Sequence, residues 1–285
     1  MNSIHRFLFL AHGLGTFIGG MLWLLPNPIK RSISQNLRIA FPALSEQDLN
    51  GLIKQNLKQV CQSMVESFLL WKSAQSEAIR LVKHCQNWDL VEQALQKKRG
   101  IIFLTPHLGC FEITSIYYGA HHPITVLYRP PKLRWLSGLI EGGRKQPGVS
   151  LAPANRQGVR LLLQALQRGE AVGILPDQTP SKAEGEWADF FGKPAYTMTL
   201  VCKLALKTQA QVIMAFGERL PDSQGFSIHL HALDSAQVST PSLLNQAIEH
   251  QIRACPSQYY WAYDRYKASR RALKKLGIHN KNTRD

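Results

Sequence analysis

Short apolar segments that alternate with amphipathic helices constrain the fold of this chain most strongly. The spacing predicts strands at 101–105, 124–128, 171–175, 211–216 and 226–232, and helices around 110–119, 133–141, 156–168, 197–207 and 241–253. Runs of this kind are typical of buried parallel strands joined by helices. The pattern therefore predicts an α/β fold with a mostly parallel central sheet flanked by helices. No repeat or linker divides residues 29–285, which we expect to form one domain.

Two further helices are predicted before the first strand. Ser45 begins S-E-Q-D, a capping signal with Asp48 at its third position, and apolar residues keep helical spacing from there to about Trp71. A second helix is expected from Trp88 to Lys97. The segment between residues 178 and 197 carries no strong pattern and is expected to be a loop.

An apolar run near the amino terminus predicts a membrane anchor at residues 1–28. Phe7 to Leu25 are nineteen residues without a formal charge, close to the ~20 that an α-helix needs to cross a bilayer, and Pro26 and Pro28 follow. Basic residues downstream of the run outnumber those upstream, which places the main domain in the cytoplasm. A helix that lies in the membrane interface is the alternative. Gly15 and Gly19 form a G-x-x-x-G helix-packing pattern.

The charge balance indicates anionic partners. The 285 residues include 34 Lys and Arg against 19 Asp and Glu, a formal net charge of +15 spread over the whole chain. Nucleic acid, an anionic membrane surface and an acidic protein all fit such a balance. Zinc-finger spacing, a glycine-aromatic RNA-binding signature and a long basic helix with heptads are absent from the sequence, so we expect no nucleic-acid partner and favour the membrane surface.

Cysteine usage indicates a reducing compartment. The five cysteines are scattered and never form C-x-x-C, which argues against a disulfide framework and a cysteine zinc site. His229 and His231 alternate on a predicted strand and so share a face, but a third ligand is not evident and no metal site is assigned.

The segment TPHLGCFE carries the most informative chemistry. His107 follows the end of a predicted buried strand, and Glu112 lies in the first turns of the next helix. A loop at Gly109 can bring the two side chains together. A neutral imidazole can then take the proton of a hydroxyl while a carboxylate holds its tautomer. Cys110 between them offers a Cys-His nucleophile pair as an alternative, although free cysteines are more often small core residues.

An ordered series of motifs resembles the bacterial lipid A late acyltransferases, a branch of the lysophospholipid acyltransferase superfamily with its H-x-x-x-x-D/E motif. The series consists of NLRIAFP at 36–42, GIIFLTPHLGCFE at 100–112, YRP at 128–130, Arg144 with its glycine neighbours, ILPDQ at 174–178, FFGKPAYT at 190–197 and PSQYYWAYDRYK at 256–267. It covers nearly the whole chain. The last block departs from the family pattern at Ser257, Ala262, Tyr263 and Asp264, which affects the acceptor more than the chemistry.

The resemblance implies roles for five residues. His107 would be the general base on the acceptor hydroxyl, with Glu112 as its orienting partner. Arg144 would contact a phosphate of the acceptor or donor, and Arg129 and Asp177 follow strand ends, where α/β sheets place their ligands. Attack on a thioester would be direct, without a cofactor.

The resemblance also implies the partners. Acyl carrier protein would be the acyl donor and a lipid A precursor the glycolipid acceptor, at the cytoplasmic face of the bacterial inner membrane. A lysophospholipid or an amino-acid lipid is the alternative acceptor. A silent lipid-binding protein is the alternative class, which the intact His107 and Glu112 disfavour. The basic stretch formed by Arg265, Lys267, Arg270, Arg271, Lys274 and Lys275 could contact anionic lipid or an acidic carrier protein.

Overall fold

The computed structural model describes residues 3–130, 134–181 and 184–267. Arg270, Arg271, Lys274 and Lys275 of the basic carboxyl-terminal stretch lie outside these residues. The helices are α1 (Ser3–Leu24), α2 (Pro28–Ala40), α3 (Glu46–Lys72), α4 (Gln75–Ala78), α5 (Asp89–Gln96), α6 (Phe111–Gly119), α7 (Arg134–Arg144), α8 (Arg156–Gln167), α9 (Leu200–Thr208) and α10 (Pro241–Ala254). The strands are β1 (Val82–Gln86), β2 (Ile101–Leu104), β3 (Ile124–Tyr128), β4 (Val149–Pro153), β5 (Ala171–Ile174), β6 (Gly185–Phe190), β7 (Lys193–Met198), β8 (Gln211–Arg219) and β9 (Phe226–Leu233).

Seven strands form the central sheet, in the order β1-β9-β8-β2-β5-β3-β4. Every pair is parallel except β8 with β9. Strands β2 and β5 lie in the middle and are buried at every residue, as continuous apolar runs in a parallel sheet should be. The expected α/β fold with a mostly parallel sheet is confirmed.

The sequence prediction was wrong where strands lie at edges or carry mixed polarity. Edge strands β1 and β4 were not predicted, because VKHCQ is mostly polar, and VSLAP is a short run that contains a serine and ends in a proline. The expected loop before α9 contains the antiparallel hairpin β6–β7, whose exposed polar residues hide the strand pattern. The same segment shortens the predicted helix 197–207 to start at Leu200. Helix α2 was missed although Asn27 caps it and Pro28 occupies its first turn.

Helix α1 packs along α3 through its glycines. A Cβ on Gly15 would lie 2.6 Å from the Gln62 backbone, and a Cβ on Gly19 would lie 2.6 Å from that of Lys58. The G-x-x-x-G pattern therefore allows two helices of this chain to approach closely. The opposite side of α1 is apolar and exposed, at Phe7, Phe9, Leu10, Leu14, Phe17, Ile18, Met21 and Leu24.

Two buried asparagines fasten the segment 257–263 to the amino-terminal helices. Asn36 on α2 donates to the carbonyl oxygens of Trp261 and Tyr263 at 2.7 and 3.0 Å. Asn56 on α3 donates to those of Ser257 and Tyr259 at 2.8 and 2.7 Å. These bonds satisfy carbonyl groups of a segment without regular structure, which would otherwise be buried at a cost.

Replacing Asn56 by alanine should destabilise the protein by about 1–3 kcal/mol, because two carbonyl oxygens lose a buried donor. Gln55→Ala is the matched control, since Gln55 is the preceding residue of the same helix and is exposed. Thermal unfolding monitored by circular dichroism compares the two. Equal melting temperatures for both variants would contradict the fastening role of Asn56.

Candidate active site

Polar side chains from three neighbouring parallel strands meet at one edge of the sheet. His107 follows β2 by three residues, Asp177 follows β5 by three, and Arg129 follows β3 directly. Since β2, β5 and β3 are adjacent and parallel, their carboxyl ends share this edge. Ligands of α/β sheets usually bind at such an edge.

Asp177 is the carboxylate that holds His107. The Nδ1 of His107 donates to Oδ1 of Asp177 at 2.9 Å, and the backbone N–H of His107 donates to Oδ2 at 3.0 Å. Asp177 is only 2% exposed. Burial by itself raises the pKa of this carboxyl, but the charge and hydrogen bonds of His107 outweigh it, so the pKa of Asp177 lies below its ordinary value. Asp177 is thus ionised and can only accept, which places a proton on Nδ1.

Gln178 indicates the same tautomer from the other side of the ring. Its side-chain amide nitrogen lies 3.1 Å from Nε2 of His107 and can donate to it. A neutral imidazole with its proton on Nδ1 accepts at Nε2. Asp177 and Gln178 therefore leave Nε2 as the basic nitrogen of His107.

Glu112 contacts Arg144 and not the imidazole. The Nε of Arg144 donates to Glu112 Oε1 and Oε2 at 2.9 and 3.1 Å, and its Nη2 donates to Oε1. The expected pairing of His107 with Glu112 is therefore not found, although both side chains line one pocket. The first turn of α6 directs Glu112 toward α7, which ends at Arg144. Asp177 reaches the ring from β5, a contact that spacing within H-x-x-x-x-E does not reveal.

The loop that carries His107 is held at three points. The carbonyl of His107 accepts from Tyr260 N, Gly109 N donates to the carbonyl of Gln258, and Cys110 N donates to that of Gly217. Gly109 has a φ of +61°, and a Cβ there would lie 2.1 Å from the Gly217 carbonyl oxygen. Only glycine suits this position. The strand-to-helix turn is thus a rigid support for His107.

A basic cleft opens on one side of His107. It has a volume of about 660 Å³ and contains Arg129, Arg144, Arg156, Arg160 and Lys203, with Glu184 as the acidic residue of its described lining. Arg156 and Arg160 are one turn apart at the start of α8. Such an excess of cations suits a ligand with phosphate groups.

An apolar pocket opens on the other side of His107. It has a volume of about 270 Å³ and lies between α3 and the turn that carries His107. Its apolar lining includes Val60, Met64, Phe68, Trp71 and Phe111. Arg144 and Ile140 line both this pocket and the basic cleft. His107 therefore stands where a charged space and an apolar space meet.

Two other candidates from the sequence do not join this site. Cys110 is 1% exposed, and burial raises the pKa of its thiol well above the ordinary value. A thiol in that state is a poor nucleophile. His229 lies on β9, where its Nδ1 is 3.0 Å from Gln86 Oε1 and its Nε2 is 2.7 Å from Glu218 Oε2. Its ring stacks on that of Phe216 on β8. Within the described ranges, no group of three or more His, Cys, Asp and Glu side chains could hold a metal ion.

Comparison with known proteins decides the family. Residues 7–268 match the family model described as bacterial lipid A biosynthesis acyltransferase. The chain belongs to this family. Similar proteins include the lipid A biosynthesis lauroyltransferase of Escherichia coli (strain K12), 25% identical over 88% of this chain and 91% of that protein. The lipid A biosynthesis palmitoleoyltransferase of the same organism is 25% identical over 89% and 84%, and a lipid A biosynthesis acyltransferase of Haemophilus influenzae is 25% identical over 82% and 76%.

The match confirms the family that the ordered motifs predicted, and it identifies the chain as an acyltransferase. The family name leaves the acyl group open, since relatives of equal identity are named for lauroyl and palmitoleoyl transfer. Membership is also consistent with membrane association, because α1 is long and apolar enough to cross a bilayer, with a mean hydropathy of 1.6.

Sequence reasoning missed part of this acyltransferase site. Gln178 belongs to the ILPDQ motif, but the sequence assigned it no role. Its amide reaches Nε2 of His107 because Asp177 holds the ring from the other side, a contact that the sequence does not reveal. Arg156, Arg160 and Lys203 are ordinary solvated cations by sequence, and only the fold brings α8 and α9 to the cleft. The four-residue spacing after the cap Asn155 was the one available signal for the arginine pair.

Cys110 should resist alkylation in the folded enzyme. Because its thiol is buried and its pKa is raised, iodoacetamide at pH 8 is expected to leave Cys110 unmodified in the native protein and to modify it after unfolding. Peptide mass spectrometry measures both states. Rapid native labelling of Cys110 with parallel loss of activity would revive the nucleophile interpretation.

Proposed function

We propose that this acyltransferase moves a fatty acyl chain from acyl carrier protein to a hydroxyl of a lipid A precursor at the cytoplasmic face of the bacterial inner membrane. The observation that carries the proposal is the pair of ring contacts of His107, Nδ1 with Asp177 and Nε2 with Gln178, in a residue that lines both a basic cleft and an apolar pocket. A phosphorylated glycolipid has the two chemistries that these spaces suit. Its reacting hydroxyl would lie between them, beside His107.

The reaction needs one base and no covalent enzyme intermediate. Nε2 of His107 takes the proton of the acceptor hydroxyl while the hydroxyl oxygen attacks the carbonyl carbon of the thioester. The tetrahedral intermediate then expels the thiolate, which recovers that proton from the imidazolium. An ester and a free thiol result, and the enzyme is unchanged. Asp177 stabilises the imidazolium and keeps the ring oriented throughout.

Gln178 makes way for the acceptor in this scheme. Its amide donates to Nε2 in the free enzyme, at 3.1 Å, where the substrate hydroxyl must donate instead. Exchange of one neutral donor for another costs little. The displaced amide would then be available to the acceptor or to the thioester oxygen.

Glu112 acts through Arg144 in this proposal. Two-point contact with Glu112 directs the guanidinium, which also lies 5.4 Å from the ring centre of Tyr128. Arg144 lines both the cleft and the pocket and so can contact an anionic group of either substrate next to the reacting atoms. Glu112 and Arg144 thus remain site residues, with Arg129 at the outer cleft beside Ser181 at 3.4 Å.

We propose acyl carrier protein as the donor, a choice that the family resemblance and the net charge support. Homologues of this chain are named as lipid A acyltransferases. The net charge of +15 favours an acidic carrier protein over a neutral one. Acyl coenzyme A is the competing donor, and both belong in the assay.

Replacement of His107 or Asp177 should remove most activity. His107→Ala removes the base, and Asp177→Asn keeps the shape but no longer enforces the tautomer, so kcat should fall by about 10²–10⁴-fold in each. The assay supplies purified enzyme with a tetraacylated lipid A precursor and loaded acyl carrier protein, and mass spectrometry reads the gain of one acyl group. Wild-type melting temperatures would show that the fold is kept.

Glu112→Gln separates the two carboxylates. If Glu112 acts through Arg144, this variant should raise KM more than it lowers kcat, unlike Asp177→Asn. A loss of kcat in Glu112→Gln as large as that in His107→Ala would instead return Glu112 to the role of the imidazole partner. Acylation of a lysophospholipid, with no gain on the lipid A precursor, would contradict the proposed acceptor.

Arg156 and Arg160 should set the affinity for the phosphorylated acceptor. Loss of one charged contact to phosphate is worth about 1.5–3 kcal/mol, so Arg156→Ala and Arg160→Ala should each raise the acceptor KM by about tenfold or more with little change in kcat. Arg168→Ala is the matched control, because Arg168 follows the same helix but pairs with Glu170 on the exposed surface. Equal KM values in all three variants would remove the cleft from acceptor binding.

A further inference from the structure

The exposed apolar side of α1 needs a partner along its whole length. Its large apolar residues recur every three or four positions, at Phe7, Leu10, Leu14, Phe17, Met21 and Leu24. This spacing forms one continuous stripe, which we call the apolar face. The stripe is exposed from one end of the helix to the other, which exceeds the isolated apolar residues that ordinary surfaces carry.

The opposite stripe of α1 is fixed to α3. Buried residues Ile4, Leu8, Ala11, Gly15 and Gly19 recur at helical spacing on that side. His12 on the same stripe donates from Nε2 to Glu66 of α3 at 2.9 Å, and both side chains are buried. The contacts pair Gly19 with Lys58, and Gly15 with Gln62. The two helices are therefore antiparallel neighbours over most of α1.

This arrangement disfavours a crossing of the bilayer by α1. A perpendicular α1 would carry the adjoining length of α3 into the hydrocarbon, including the cations Lys54 and Lys58, which are not buried. Charged side chains at that depth are costly. A helix that lies parallel to the surface immerses the apolar face and leaves α3 at the interface.

Charge complementarity identifies the occupant as an anionic leaflet. The first 45 residues contain no Asp or Glu, while Arg6, Lys30 and Arg31 lie among them. Arg38 lies there too but pairs with Glu46. Arg31 is exposed on α2, directly after α1. Lys30 stands 4.0 Å over the ring of Trp23, a cation and an aromatic ring of the kind found at headgroup level.

The stripe of α3 that meets the glycines of α1 continues toward the active site. Leu57 and Cys61, which meet the glycines of α1, share one stripe of α3 with Met64 and Phe68, because the four residues are separated by four, three and four positions. Met64 and Phe68 are 58% and 45% exposed. Both also line the apolar pocket that reaches His107.

We propose that α1 lies within one leaflet of an anionic bilayer, and that the pocket behind Met64 and Phe68 is a side entrance from this leaflet to His107. The acceptor's hydrocarbon enters through this opening without leaving the membrane, and its phosphates occupy the basic cleft. The entrance rests on the proposed function, whereas the position of α1 does not. Each part is therefore tested separately.

Nitroxide labels measure the position of α1. Single cysteines replace Phe7, Leu14 and Leu24 in the full chain, which is bound to vesicles of phosphatidylethanolamine and phosphatidylglycerol. The unsubstituted protein, whose five native thiols have raised pKa values or are buried, gives the background. Equal immersion depths at the three positions are expected. A depth at Leu14 near the bilayer centre, with both other labels near headgroups, would overturn the proposal.

Glutamate substitutions test the entrance. Because a charge at the apolar rim opposes passage from the bilayer as well as occupancy of the pocket, Phe68→Glu should lower turnover of acceptor embedded in these vesicles at least about tenfold further than it lowers turnover of detergent-dispersed acceptor. Leu206→Glu is the matched control, since Leu206 is 78% exposed on α9 and lines neither the cleft nor the pocket. Wild-type turnover of vesicle acceptor by Phe68→Glu, or an equal loss in Leu206→Glu, would overturn the entrance. If wild-type enzyme acylates no acceptor in detergent, the proposed function fails, and the label depths still decide the position of α1.

Discussion

A buried ion pair between Glu66 and Arg219 joins helix α3 to the central sheet at β8. Glu66 on α3 is fully buried, so desolvation raises the pKa of its carboxyl, but the charge of Arg219 and the contact with His12 outweigh that effect and lower it. A buried carboxylate left without such partners would destabilise the fold strongly. Its two partners, His12 and Arg219, come from α1 and β8, so the cluster joins α1, α3 and β8. The backbone of Arg219 also exchanges hydrogen bonds with the side chain of Gln258, at 2.9 Å in each direction, and the Gln258 carbonyl accepts from Gly109 in the catalytic turn. The helix that carries the apolar face and the turn that carries His107 therefore share one support.

The sequence predicted the interior of the sheet and the edge at which the candidate site residues meet, because both depend on local patterns. Buried strands such as β2 and β5 are continuous apolar runs, and residues after them reach a common edge whatever the details of the fold. His107, Asp177 and Arg129 were predicted on that basis, and the structure brings them to that edge. The ordered motifs predicted the family for the same reason, since each is a short contiguous block.

Pairings between distant segments could not be predicted in this way. Asp177 lies seventy residues from His107, and its choice over Glu112 depends on the register of β5 beside β2 and on the direction of the first turn of α6. Edge strand β1 escaped detection because it is largely solvated, so its composition resembles that of a loop, and β4 escaped because its apolar run is short and ends in a proline. The length and composition of α1 allow either a crossing or a surface position, and only the contacts of Gly15, Gly19 and His12 with α3 distinguish them.

Asp177 and Glu112, the two carboxylates of the candidate site, differ in their partners and therefore in their proposed roles. Asp177 is enclosed behind His107 and bonded to both the ring and the backbone of that residue, so it can set a tautomer but cannot reach a substrate. Glu112 is also buried, but it lines the apolar pocket and bonds the guanidinium of Arg144, so it orients a cation where the charged and apolar spaces meet. The proposed reaction, which joins a water-soluble thioester to a membrane lipid, needs both tasks at once. Its base must be rigid, because the hydroxyl arrives from one side, and its cation must be held at the boundary, because the anionic and hydrocarbon parts of the acceptor separate at that point.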